Sequence, residues 1–234
     1  MLVNTCPKQP TGDNNEKNYT VLGLSNVQIL SHIVSQCVKG VHSVETSAFP
    51  EIAYTEEFVQ GEVERNGYAN LWVASRRKLE GANPFGPSAM WGYALTTDQG
   101  FKMGGYTVDP ENGYVVSVGV LAKAQGQGIG MDLLQNHACF GLFKASRVKK
   151  VCLTMRRNNE PMKKVVERVG FKCAQELEGD LYGDGELRDE YVLTYDDWEA
   201  NLPAEIAADT WYCGKCDTTM DNQDRMIGCA GLKT

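Results

Sequence analysis

Histidine is scarce, three in 234 residues, and no His-x-x-x-His pair occurs. That excludes the helical metalloprotease signature. His32 and His137 fall inside helical patterns and read as core-edge or surface residues rather than catalysts. Long apolar runs are absent as well. Nothing approaches the roughly 20 residues that a membrane-crossing helix needs. The start, Met1-Leu2-Val3-Asn4-Thr5, has neither a basic segment nor an apolar stretch, so no secretory leader is expected. Interleaved aromatic and basic residues are missing and the net charge is −7, so direct nucleic-acid binding is not expected. Of eight cysteines, Cys37, Cys139, Cys152 and Cys173 lie in apolar helix or strand patterns and read as reduced core residues. A cytosolic or nuclear protein follows.

What is present is unevenly placed. Residues 1–175 hold 19 basic and 15 acidic side chains; residues 176–234 hold 4 and 15. A basic cluster between Lys144 and Lys172 includes Arg147, Lys149, Lys150, Arg156, Arg157, Lys163 and Lys164. It reads either as a solvated face or as a surface that steers an anionic ligand. The length suits one domain with appendages. Residues 1–18 are polar and rich in Asn, Gly and Pro and read as a flexible arm. Residues 19–198 read as the folded domain, and 199–234 as an acidic tail.

Within the domain, Ser25-Asn26-Val27-Gln28 is a capping-box pattern before a helix with apolar positions Ile29 to Val38. Thr55 caps a second helix near 56–66, and Leu71–Ala74 reads as a strand. Arg76 to Ser88 reads as a loop on its glycines and prolines. Trp91–Thr96, Met103–Val108 and Tyr114–Leu121 follow as strands, with Asp109-Pro110-Glu111-Asn112-Gly113 as a hairpin turn. A long helix is expected over Ile129–Ala145. A short buried strand at 151–154, a helix after Asn159, and strands near 171–177 and 191–195 complete the order.

The stretch Gln125-Gly126-Gln127-Gly128-Ile129-Gly130 stands between a strand and a helix. Glycines let main chain approach a ligand, and the unpaired N–H groups of a helix start attract phosphate. A dinucleotide fingerprint would need glycine at 131, where Met131 stands, and a P-loop would need a following lysine, which is missing. A glycine-rich turn without a ligand is the plain alternative. The wider run Val118-Gly119-Val120-Leu121-Ala122-Lys123-Ala124-Gln125-Gly126-Gln127-Gly128-Ile129-Gly130 resembles motif A of the GCN5-related N-acetyltransferases (GNAT). A later segment, Asn159-Glu160-Pro161-Met162-Lys163-Lys164-Val165-Val166-Glu167-Arg168-Val169-Gly170-Phe171, resembles that family's second conserved stretch.

This resemblance implies an α+β fold: a mixed, mostly antiparallel central sheet flanked by helices. It implies acetyl-CoA as co-substrate, held by Val118, Gly119, Val120, Gln125, Gly126, Gln127, Gly128, Ile129, Gly130 and Asn159. An amine-bearing acceptor, protein or small molecule, would receive the acetyl group. Asn159 is also a plain helix cap in its own right. Glu111 is the first candidate for the base and Tyr114, which stands where histone-directed relatives carry a glutamate, is the second; Asp109 and Ser117 are weaker. Glu111 also reads as an ordinary turn residue. The family's tyrosine seven positions after the asparagine is Val166 here. Valine cannot donate a proton, which leaves open a rival reading: a CoA-binding sensor or interaction protein that has lost its chemistry.

The tail run Trp211-Tyr212-Cys213-Gly214-Lys215-Cys216, followed by Met226-Ile227-Gly228-Cys229, is similar to the start of a plant homeodomain (PHD) finger. The next ligand of that pattern would stand at 232, where the residue is Leu232. A closed zinc site needs four ligands. Three cysteines read as a remnant in preference to the alternative, a weak zinc site with a fourth ligand from Asp217 or Cys6, and no metal ligand set is assigned. The acidic last third either attracts a basic acceptor or is solubilising surface.

Overall fold

The computed structural model describes residues 4–5, 18–23, 31–66, 70–76, 85–178, 183–202, 211–213 and 218–220. In chain order the first elements are β1 (Asn4–Thr5), β2 (Tyr19–Gly23), α1 (Ser31–Ala48), α2 (Glu56–Asn66), β3 (Leu71–Arg76) and β4 (Met90–Thr97). Then come β5 (Phe101–Met103), β6 (Tyr106–Val108), β7 (Gly113–Val120), α3 (Ile129–Asp132), β8 (Lys150–Arg156) and α4 (Glu160–Val169). The last are β9 (Lys172–Leu177), β10 (Arg188–Thr194), α5 (Tyr195–Ala200) and a two-stranded ribbon, β11 (Trp211–Cys213) with β12 (Thr218–Met220).

Eight strands form one sheet in the order β1-β2-β3-β4-β7-β8-β10-β9. Every pairing is antiparallel except β7 with β8. A parallel pair needs a crossover, and α3 supplies it. The mixed, mostly antiparallel sheet with helices on both faces is the α+β architecture that the sequence implies. On one face, α1 and α2 join the β5–β6 hairpin over Val73, Tyr93, Leu95, Tyr114 and Cys152. On the other, the helical stretch that continues α3 to Ala145, with α4 and α5, packs through Leu134, Leu142, Val166, Val169 and Trp198.

The helices form for local reasons. In α1, Cys37, Val38, Val41 and Val44 recur at helical spacing and are all buried. The Thr55 hydroxyl accepts from the Phe58 amide and starts α2. Asn159 caps α4 by accepting from the Met162 amide, and Gly170 ends it with φ +107°. Trp198 of α5 is fully buried, with its indole N–H donating to the Gln135 carbonyl.

Four expectations change. Met103–Val108 is not one strand: Gly104 and Gly105, at φ +55° and +85°, turn the chain so that β5 and β6 pair with each other. Asp109–Gly113 is a turn, with Asn112 N–H donating to Asp109 O, but it makes no hairpin, because β7 pairs with β4 and β8 instead of β6. The helix begun at Ile129 widens to π geometry over Leu133–Cys139 and Gly141–Ala145. Cys173 is exposed because β9 is an edge strand, while Cys37, Cys139 and Cys152 are buried. Asn4 and Thr5, within the polar arm, pair with Gly23 and Leu22. The capping-box pattern at 25–28 and the loop residues 77–84 lie outside the described residues. No helix among the described residues is long and apolar enough to cross a membrane.

Candidate active site

The site begins with a mismatch in β7. Leu95 pairs with Ser117, but Thr96 pairs with Val115, so Val116 is one residue too many. Such a bulge bends its strand. Beyond it the chain leaves β8: the parallel pairing covers only Gly113 with Val151 and Tyr114 with Cys152. The two strands diverge as the arms of a V, and a cavity of about 350 Å³ lies between them.

One wall is main chain. Leu121 N–H donates to Trp91 O, which fixes the antiparallel alternation against β4. Residues 117, 119 and 121 turn their amides towards β4, so Val118 and Val120 turn theirs to the diverging side. The Gln125 side chain donates to the Val120 carbonyl and ties the loop to the strand. Gly126 and Gly128 adopt φ +77° and +78°, and a Cβ added at either would meet no protein atom within 4 Å. Gly128 caps α3, where Ile129 is buried and Gly130 lies beside Val120. The exposed Gln127 shares this loop. Open main-chain amides, an uncrowded glycine loop and a helix start fit an extended ligand that carries phosphate. Of the predicted cofactor residues, Val118 on the β7 arm and Asn159, which follows the β8 arm, line the cavity, while Gly119, Val120 and the Gln125–Gly130 loop continue the β7 arm beyond it.

The opposite wall is made of side chains. Glu45, on the apolar stripe of α1, is 1% exposed yet lines the cavity. Its Oε1 accepts from the Ser117 hydroxyl at 2.6 Å, and its Oε2 accepts from the Tyr54 amide at 3.3 Å. Tyr93 OH lies 2.6 Å from the same Ser117 oxygen. Burial pushes the Glu45 carboxyl up from the usual range, opposed by the two hydrogen bonds and by nearby His42. On the β8 arm, Thr154 and Arg156 line the cavity, with Arg188 beside Arg156 in register on β10. Asp184 receives both guanidinium groups: Arg188 at 2.6 and 2.8 Å, Arg156 at 2.9 and 3.2 Å. The Arg188 hydrogen bond, above all, holds the Asp184 carboxyl well below the usual carboxylate range. Phe49, Ile52, Val116, Leu153 and Met155 make the rest of the lining largely apolar.

The two expected catalytic residues are elsewhere. Glu111 is exposed on the turn before β7 and pairs with Lys149 at 2.6 Å, which lowers its carboxyl pKa. Tyr114 is fully buried, stacked on Phe101 at 4.2 Å, with its hydroxyl 2.8 Å from Thr154 Oγ1. Its hydroxyl meets the cavity-lining Thr154, but Tyr114 does not itself line the cavity. Val166 is fully buried in the core beneath α4. Glu45 was missed because it lies 80 residues from the glycine motif. A signal existed: a carboxylate among the inward positions of an amphipathic helix. Arg188 carried no comparable mark. Among the described residues no cluster of His, Cys, Asp and Glu is placed to hold a metal ion. Cys216 and Cys229 lie outside the described residues, and of Cys213 only the main chain is described.

No protein-family model matches the sequence, and no curated protein matches it. Solved structures do resemble it. Ard1 from Thermoplasma volcanium superposes with a TM-score of 0.56 at 13% identity, over 76% of this chain and 97% of that one. The ribosomal-protein-S18-alanine N-acetyltransferase from Escherichia coli gives 0.51 at 15%, over 75% and 93%. Arabidopsis thaliana NAA60, in complex with a bisubstrate analogue, gives 0.51 at 16%, over 75% and 97%. At these identities the likeness is one of fold: the chain has the fold of N-acetyltransferases.

Proposed function

We propose that the protein is an N-acetyltransferase that moves an acetyl group from acetyl-CoA to an amine. The observation that carries this reading is Glu45, a carboxylate buried at the point where β7 leaves β8. Acetyl-CoA supplies the activated acetyl group as a thioester. The Gln125–Gly130 loop and the start of α3 take its pyrophosphate, and the Val118 and Val120 amides face the acyl carbonyl, where negative charge develops on attack.

An amine attacks only after losing its proton. Glu45 takes that proton, and its raised pKa brings it closer to the range in which a base works well. Ser117 and the Tyr54 amide hold the carboxylate in place. Mostly apolar walls keep water from competing with the amine. With Val166 buried, α4 offers no phenol for the leaving thiolate, so its proton comes from water at the cavity mouth.

The rival reading is a CoA-binding sensor. A sensor needs the glycine loop and the open amides, but has no use for a desolvated carboxylate facing the acyl position. Thiol release from acetyl-CoA over a panel of amines and peptides tests the proposal, with the product checked for an added acetyl group. CoA binding by calorimetry without thiol release from any acceptor would support the sensor instead.

A further inference from the structure

We infer that the acceptor bears a carboxylate near its amine, and that Arg156 binds it. This rests on the transferase reading above and adds the acceptor class. The two arms of the V are chemically opposite. Ser117, three residues past the last β7–β8 pairing on one arm, holds Glu45. Arg156, four residues past it on the other, lines the same cavity. An amine that approaches Glu45 therefore has its other end directed towards a guanidinium.

Arg156 is anchored for this role. Its Nε and one Nη2 hydrogen donate to the same Asp184 oxygen, which fixes the plane of the group. Its Nη1 has no partner among the described residues. Arg188, only 3% exposed at its side chain, grips both oxygens of Asp184 and so acts as a positioning residue. Both guanidinium groups meet the one Asp184 carboxylate. Glu51 reaches Arg156 only at 3.8 Å and is 80% exposed, so solvent weakens its hold. A carboxylate inside the cavity meets Arg156 from the drier side, where a charged hydrogen bond is stronger.

The test uses matched acceptors: 4-aminobutyrate against butylamine, free glutamate against glutaminamide, and peptides beginning with Glu against peptides beginning with Gln. The full chain is expected to acetylate carboxylate-bearing acceptors with at least about tenfold higher kcat/KM, as one charged hydrogen bond gives. Arg156→Gln should remove that preference, bringing the ratio of kcat/KM between the charged and neutral member of each pair to within about twofold of one. Glu51→Gln, a surface change that leaves the fold intact, should increase the preference by removing a competing anion. The free and peptide arms tell an amino-acid acceptor from a protein N-terminus. Equal use of charged and neutral acceptors by the unaltered chain, or a preference that survives Arg156→Gln, overturns the inference while the transferase reading stands. Calorimetric titration with glutamate separates the two further. Binding that depends on Arg156, without acetyl transfer, keeps the carboxylate site and refutes the transferase; no binding and no transfer refutes both.

Discussion

The two walls of the cavity are built by different means. The proposed cofactor side is main chain drawn almost entirely from one stretch, residues 118–130, of which Val118 lines the cavity. The proposed acceptor wall is side chains from α1, the segment before α2, β7, β8 and β10. A main-chain wall depends on glycine, strand register and a helix start, so most side chains in it can change without loss. A side-chain wall depends on individual groups held by one another, such as Glu45 by Ser117 and Arg156 by Asp184. Each wall should therefore fail separately, and each failure has its own signature.

Glu45→Gln disables the acceptor wall alone. We expect kcat to fall by about 10²–10⁴-fold, the usual contribution of a positioned base, with calorimetric CoA affinity unchanged. Burial raises the Glu45 pKa, so in the unaltered protein the rate should fall as pH drops through that raised value. Because the folded value exceeds the unfolded one, ionising Glu45 subtracts stability between the ordinary glutamate range and the raised value. The Gln variant should thus melt no lower than the parent at neutral pH; a large drop in Tm would make Glu45 a structural residue.

Gly128→Glu disables the other wall. It sets a negative side chain against pyrophosphate and puts a Cβ at φ +78°, where strain is about 1–2 kcal/mol. CoA affinity should fall on the order of 100-fold by like-charge repulsion, and calorimetry would show it. Unchanged affinity would remove the pyrophosphate from this loop.

Asp184→Asn leaves the buried Arg188 guanidinium without its carboxylate. Loss of one partner of a buried pair costs about 3 kcal/mol, visible as a lower urea midpoint. With the Asp184 pKa depressed in the fold, its stabilisation is present above the unfolded pKa and lost as pH falls through the folded one. The parent and variant should converge in acid. The smallest effect belongs to Asn159→Ala, which removes the α4 cap for about 1 kcal/mol and should weaken CoA binding only modestly.

The glycine loop is legible in the sequence, and the buried carboxylate and guanidinium groups are not, for a physical reason. Glycines that permit φ +77° and +78°, next to a strand and before a helix, are local facts of composition, and Gln125 to Gly130 could be read without a fold. The sheet, α2 from its Thr55 cap, and α4 from Asn159 to Gly170 were legible on the same local terms. Glu45 faces Ser117 only because the sheet brings α1 over β7, 72 positions away. Arg188 meets Arg156 only because β10 pairs with β8. Glu111 looked attractive for its place beside the motif strand, yet the turn points it at Lys149.

The surplus residue in β7 also sets a parity. Before Val116, even-numbered side chains face α1 and odd ones face α3; after it the assignment reverses. Ser117 consequently looks at Glu45, and Val118 and Val120 look at the helix that follows the glycine loop. Were Val116 deleted, Ser117 would follow Val115 directly and keep its place facing α1, but the bend that the extra residue gives β7, and with it the parting from β8, would be lost.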